Sequence, residues 1–373
     1  MPQIVEARTG ERLSMKKQAI AFSLWPVGRT KRRYGVQHRV FAADPWPIIA
    51  EAIAQRCPKQ LREPAQAFCA QAEDFYEASL LGRVLHAKPV LLYYCMLNLA
   101  KAFILTTGRG AKDYRPQHGL RETASLGQVE GAPILAFPTT GKRPQLFADF
   151  LQAVSGQQLK RNRRYRLGEI LPQILSGHRV WCSAAQAKER FVGIHELRFL
   201  KDSTARSIWV QAVLRKEDLA PLGITYAELL RGTRLGPRWR IARVPAEPDV
   251  VCLEKKLPDS YTHRPSDVLM NVVDGIRHSL WSCVLIVPPY LRYYLYVPPR
   301  EERARVLPQL LSMYMVMFFL GSITRYRPHH FDRLLDSEYG AQIEGILNEV
   351  PTQFIYLLSS QFLKRDVAKA AIV

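Results

Sequence analysis

Two runs of the chain are apolar on every side, "PVLLYYCMLNLAKAFIL" at residues 89–105 and "LPQLLSMYMVMFFLGSI" at 307–323, and they constrain the fold more than any other feature. Asn98 and Lys101 interrupt the first, and both runs fall short of the roughly 20 apolar residues that a membrane-spanning helix needs. They therefore read as helices buried in a protein core, with no membrane implied. Near the first run lie "WPIIAEAIAQRC", opened by Asp44 and Pro45 as a helix start, and "EPAQAFCAQAEDFYEASLLG". Phe68, Ala72, Phe75, Tyr76 and Leu80 recur there at helical spacing. After the second run, helical signals continue in "PHHFDRLLDSEYGAQIEGILNEV" and "PTQFIYLLSSQFLKRDVAKAAIV". Neither set alone makes a bundle, so the two together are expected to form one.

Between them the pattern changes. Residues 109–185 are irregular and rich in Gly, Pro and charge, and residues 206–300 carry short β-type runs such as "RSIWVQAVL", "RWRIARVP" and "DVVCLEKKL". The expected fold class is α+β: a mainly helical bundle formed by the N- and C-terminal helices and interrupted by a mixed α/β insertion. The expected division is a basic N-terminal arm or subdomain at 1–43, the first part of the bundle at 44–120, the insertion at 121–300 and the second part of the bundle at 301–373.

The formal charge of +20, from 53 Lys and Arg against 33 Asp and Glu, points to a polyanionic partner. Two runs concentrate it. "RTKRRYGVQHR" at 29–39 holds Lys31, Arg32 and Arg33, and "KRNRRYR" at 160–166 holds Lys160, Arg161, Arg163, Arg164 and Arg166. Each places a tyrosine among arginines, a mixture suited to gripping a nucleic-acid backbone while stacking a base. A solvated surface is the other reading of both.

Several chemistries are disfavoured. The six cysteines are scattered singly, with no pair at the spacing of a zinc ribbon or a redox site. Phosphate-cradling loops, a dinucleotide glycine fingerprint and a helical His-Glu-x-x-His are all missing, so neither metal nor cofactor is expected. The start "MPQIVEARTGERLSMKK" puts charges where a secretory signal would be apolar, and the expected location is cytoplasmic.

The stretch "GSITRYRPHHFDRLL" at 321–335 carries the densest chemistry, with Arg325, Tyr326, Arg327, Pro328, His329 and His330 in one run. Pro328 at a helix start would set both histidines near the positive end of the helix dipole, where phosphate binds and an imidazole is held neutral. It also breaks the continuous helix on which Arg325 and His330 would share a face. An ordinary helix start with surface histidines is the competing reading. On the first apolar helix Tyr93, Tyr94, Asn98 and Lys101 lie broadly along one side. They are either core packing around a buried Asn hydrogen bond or a cleft wall on which Lys101 meets phosphate. His118 in "PQHGL" is either a turn residue or a second catalytic imidazole. A metal site built from His118, His329 and His330 lacks any carboxylate or cysteine at ligand spacing.

The helix "KPVLLYYCMLNLAKAFIL", the "HGL" at 118–120 and "RYRPHHFDRLLDS" near the end together resemble the YaaC-like family of bacterial proteins, as an order of elements covering most of the chain. More loosely, "YYCMLNLAKA" coupled with a later helix bearing Arg, four residues and His resembles the HEPN superfamily of helical bundles. Many of those are metal-independent ribonucleases of toxin and antiphage systems. The resemblance implies an HEPN-like bundle, a homodimer in which two motifs share a cleft, RNA ahead of DNA as the target, and a protein partner from a defence operon. It makes Arg325, His330 and His329 the catalytic residues, with Arg327 and Lys101 on the nucleic acid and Asn98, Tyr326 and His118 in support. Cleavage by 2′-hydroxyl attack needs a proton acceptor, a proton donor and a cation, which imidazole and guanidinium supply. The rival implication is a non-catalytic subunit that holds nucleic acid or another protein.

Overall fold

The computed structural model describes residues 4–15, 17–29, 34–81, 85–123, 131–141, 143–233 and 235–370. The chain folds into two compact units, each assembled from separate stretches of sequence. A helical unit takes Asp44–Ala187 and Arg305–Leu363, and a sheet-rich unit takes Met1–Ala43, Lys188–Ala304 and Lys364–Val373.

The helical unit contains α1 (Trp46–Arg56), α2 (Lys59–Leu80), α3 (Lys88–Thr106), α4 (Leu146–Ser155), α5 (Leu167–Ile170), α6 (His178–Ala184), α7 (Gln309–Tyr326), α8 (Pro328–Leu335) and α9 (Gly340–Leu363). The two apolar runs are α3 and α7, and every residue from Leu310 to Thr324 of α7 is buried. Helix α3 is the one described helix long and apolar enough to cross a membrane, and 78% of its apolar window is buried inside the protein. The helices α3 and α7 meet at Gly321, where an added Cβ would lie 2.8 Å from Cβ of Tyr93 and 3.1 Å from the Pro89 carbonyl oxygen. Only a residue without a side chain permits so close a crossing.

Helices α2 and α3 run antiparallel along a seam of three rungs. Lys101 Nζ sits 4.8 Å from the Phe68 ring centroid, Asn98 Nδ2 donates to Gln71 Oε1 at 2.7 Å, and Tyr94 stacks on Phe75 at 5.4 Å. The spacings 68, 71, 75 and 94, 98, 101 each trace one side of a helix, which is why these pairs meet. A three-stranded antiparallel sheet completes the unit, with β1 (Leu120–Glu122) and β3 (Arg163–Arg166) flanking β2 (Pro133–Ala136). Leu120, Ile134, Ala136 and Tyr165 point into the core, and the alternation leaves Arg121, Arg164 and Arg166 exposed.

The sheet-rich unit is built on a seven-stranded mixed sheet. Its main path runs Val5–Glu6, Trp239–Arg243, Val250–Lys255, Ser207–Arg215, Glu196–Asp202 and Glu11–Arg12, with Asp259–Ser260 also pairing with Ser207–Arg215. Only the Val5–Glu6 pairing is parallel. The strand Ser207–Arg215 is buried from Ser207 to Leu214, as a central strand covered on both faces must be. A three-stranded sheet (Phe191–Gly193, Leu291–Tyr296, Leu280–Val284) and the helix Leu269–Arg277 belong to the same unit. Val367–Ala368 pairs in parallel with Val40–Phe41, so both ends of the described chain join it.

The expectation of a mainly helical, HEPN-like bundle with an insertion does not hold. The protein is mixed α/β, because the strands of 196–255 close a core of their own around residues such as Val213, Ala242 and Cys252. They do not decorate a helical scaffold.

Candidate functional site

The crossing at Gly321 sets the register of α7, which carries Arg325 up to the Tyr93-Tyr94 pair of α3. Arg325 Nη1 donates to Tyr94 Oη at 2.5 Å, and its guanidinium lies 4.3 Å from the ring centroid of Tyr326. His118 reaches the neighbouring tyrosine from the start of β1, its Nδ1 standing 2.5 Å from Tyr93 Oη. The turn that delivers it depends on Gly119, whose φ is +77° and whose missing Cβ would lie 2.9 Å from the backbone nitrogen of Phe147. The histidine of "HGL" is thus aimed by the glycine that follows it.

Electrostatics favour a neutral imidazole. Burial pulls the His118 pKa below its ordinary value, and the positive charges of Arg325 and Lys101 push the same way. Burial drives the Tyr93 phenol well above its usual range, so it stays protonated and neutral beside the ring. Lys101 is itself lowered by burial. One imidazole, one phenol and two cations therefore share a local environment with no carboxylate among the groups that perturb His118.

A second cluster forms at the far end of β1. Glu122 is ion-paired with Arg327 and accepts from Ser322 Oγ at 3.3 Å. Arg327, with φ −148° and ψ 62°, separates α7 from α8, which begins at Pro328 as the proline requires. The His330 backbone N–H donates to the Arg327 carbonyl at 2.8 Å, and its ring packs edge-on against His329 at 4.4 Å. His330 Nδ1 is buried without a hydrogen-bond partner among the described residues. The His330 pKa is lowered by burial first, then by His329, Arg327 and Arg333, with Glu122 opposing.

The structure thus divides the sequence's candidates. Arg325 and Lys101 stand with His118, whereas His329, His330 and Arg327 stand with Glu122, and among the described residues no hydrogen bond joins Arg325 to His330. Asn98 is buried and held by Gln71, and Tyr326 is 66% exposed. Lys160, Arg161, Arg164 and Arg166 are exposed without an ion pair among the described residues, and Arg163 lies 5.5 Å from the Tyr165 ring centroid. Lys31, Arg32 and Arg33 lie outside the described residues. Among the described residues no three His, Cys, Asp or Glu side chains are grouped to hold a metal ion. Glu122 and Ser322 escaped the sequence reading because Glu122 and Arg327 are 205 positions apart and nothing local marks either as a pair.

Gly119→Ala is expected to destabilise the protein by about 1–3 kcal/mol, since strain at positive φ adds to the clash with Phe147. Urea unfolding checks this, and the His118 ring resonances should shift in the same variant.

The fold and the cluster define a mixed α/β protein that holds a cation-flanked histidine in a helical unit. The chain belongs to the YaaC-like protein family, whose model matches residues 37–362 and so takes in α3, the His118 turn and α7. No curated protein and no solved structure matches the chain.

Proposed function

We propose that this chain cleaves RNA by 2′-hydroxyl attack, with His118 as the working imidazole and Arg325 and Lys101 facing the phosphate. The observation that carries the reading is His118 itself, hydrogen-bonded to a neutral phenol and pushed toward its uncharged form by burial first and then by two cations. In the tautomer whose Nδ1–H donates to Tyr93 Oη, the Nε2 lone pair is free to take a proton. The 2′-hydroxyl gives that proton to Nε2 as its oxygen attacks phosphorus. The bond from phosphorus to the 5′-oxygen breaks, and the leaving oxygen takes a proton from water. The products are a 2′,3′-cyclic phosphate and a 5′-hydroxyl end. Arg325 offsets the charge that builds on the phosphoryl oxygens, the role for which a preorganised guanidinium is suited.

The exposed cations Lys160, Arg161, Arg164 and Arg166 favour a second reading, in which the protein holds nucleic acid without cutting it. Labelled tRNA and single-stranded RNA, incubated with the purified protein in EDTA, separate the two. Cleavage to cyclic phosphate ends is expected. Binding that weakens steeply with salt, without cleavage, identifies the binding module. Neither cleavage nor binding removes both readings.

A further inference from the structure

The sheet-rich unit has a concave region of its own, built from none of the residues placed in the two clusters above. The helix Tyr226–Gly232 supplies Ala227 and Arg231, one turn apart, to the walls of two adjoining cavities. One, of about 780 Å³, is lined by Leu230, Pro237, Trp239 and Lys256 as well. The other, of about 480 Å³, gathers Arg190, Arg300 and Arg303 around Arg231. An open concavity with a partly apolar wall therefore lies beside a guanidinium-rich one, and both fall in the size range of small-ligand sites.

The second chamber carries more guanidinium than carboxylate on its walls. Its wall brings four arginines against Glu228 and Glu301. Glu228 accepts from the Thr225 backbone N–H at 2.9 Å and from Thr225 Oγ1 at 2.8 Å, with weaker attraction from Arg190 and Arg303, which leaves Arg231 and Arg300 facing the opening. Arg303 Nε is buried with no hydrogen-bond partner among the described residues. Buried polar groups nearly always find a partner, and a guanidinium finds its best one in a phosphate or carboxylate. Pro298 and Pro299 precede Arg300 with fixed φ, which limits the backbone freedom that an incoming anion would otherwise have to quench.

We propose that these two chambers form one binding site for a nucleoside diphosphate, with the phosphates among Arg231, Arg300 and Arg303 and the base against Leu230 and Pro237, over the buried Trp239. A polar head and a planar apolar body are what the two chambers discriminate together, and neither inorganic phosphate nor a bare nucleoside fills both. This site stands apart from the RNA-cleaving reading and survives its failure.

Calorimetric titration of the full chain with ADP and with GDP, compared with adenosine, guanosine and pyrophosphate, tests it. The better diphosphate is expected to bind at least tenfold tighter than its nucleoside and than pyrophosphate. Arg231→Ala and Arg303→Ala are each expected to weaken it at least tenfold. Arg231 is exposed and its removal leaves the core intact, so an unfolded Arg303 variant does not rescue the idea. The proposal is overturned by a diphosphate that binds no tighter than pyrophosphate, by one no tighter than its nucleoside, by no binding at millimolar ligand, or by unchanged affinity in a folded Arg231→Ala.

Discussion

His118→Ala is expected to lower RNA cleavage at neutral pH by about 10²- to 10⁴-fold, the usual loss when a positioned proton-transfer group is removed. His330→Ala should cost far less, because His330 is grouped with Arg327 and Glu122 and not with the cations beside His118. The pH profile gives the sharper test. The uncharged imidazole is the active base, so the rate should rise with pH through the His118 pKa and flatten above it. Burial, Arg325 and Lys101 lower that pKa, which places the midpoint below the ordinary histidine value near 6.5. Lys101→Met removes one repelling charge while keeping an unbranched side chain against Phe68. Its midpoint should move to higher pH even though Lys101 makes no hydrogen bond to the ring. A midpoint that stays put, or a His118→Ala enzyme with undiminished cleavage, sinks the assignment.

What the sequence discloses about this site follows from how locally each part is encoded. The two apolar runs announced α3 and α7 because burial on every side leaves no polar face to find, and Pro328 announced the break between α7 and α8 because it cannot continue a helix. "HGL" showed a turn, but not that Gly119 aims His118 at Tyr93, since that depends on where Phe147 of α4 packs. The pairing of Arg325 with His330 rested on the resemblance of their spacing to the HEPN motif. In the structure the kink at Arg327 divides them: Arg325 turns to Tyr94 of α3, whereas His330 stays among its sequence neighbours His329, Arg327 and Arg333, with Glu122 nearby. The division into units was hidden for a related reason. The strands Val5–Glu6 and Glu11–Arg12 are two residues long and take their place in the large sheet only through partners nearly two hundred positions or more away. Short strands carry too few residues to show a period, so tertiary pairing decides them.

The largest expected loss of stability lies in that sheet, at Glu254. Its side chain is fully buried, and its carboxylate is held by Arg240 Nε at 2.9 Å, by Arg240 Nη2 at 2.6 Å and by Gln211 Nε2 at 3.3 Å, with the Arg8 backbone N–H also at 3.3 Å. Arg240 is the one of these that brings a full charge into hydrogen bonding, with both of its donors on Oε1, while the Arg8 guanidinium adds attraction without a hydrogen bond to the carboxylate among the described residues. Arg240→Ala therefore leaves a buried anion without its hydrogen-bonded cation, and about 3–5 kcal/mol of unfolding free energy should be lost, read by urea denaturation. The pair itself is worth much less than that figure, because burying Glu254 already costs several kcal/mol of desolvation that the attraction only offsets. Replacing both partners, as in Arg240→Met with Glu254→Leu, should accordingly recover most of the loss. The double-mutant cycle would then give a coupling larger than the net contribution of the native pair. A single Arg240→Ala that costs under about 1 kcal/mol would mean that the carboxylate is rehydrated or held by its other donors without its partner, and the ion pair would cease to explain why a charged residue sits at the centre of this sheet.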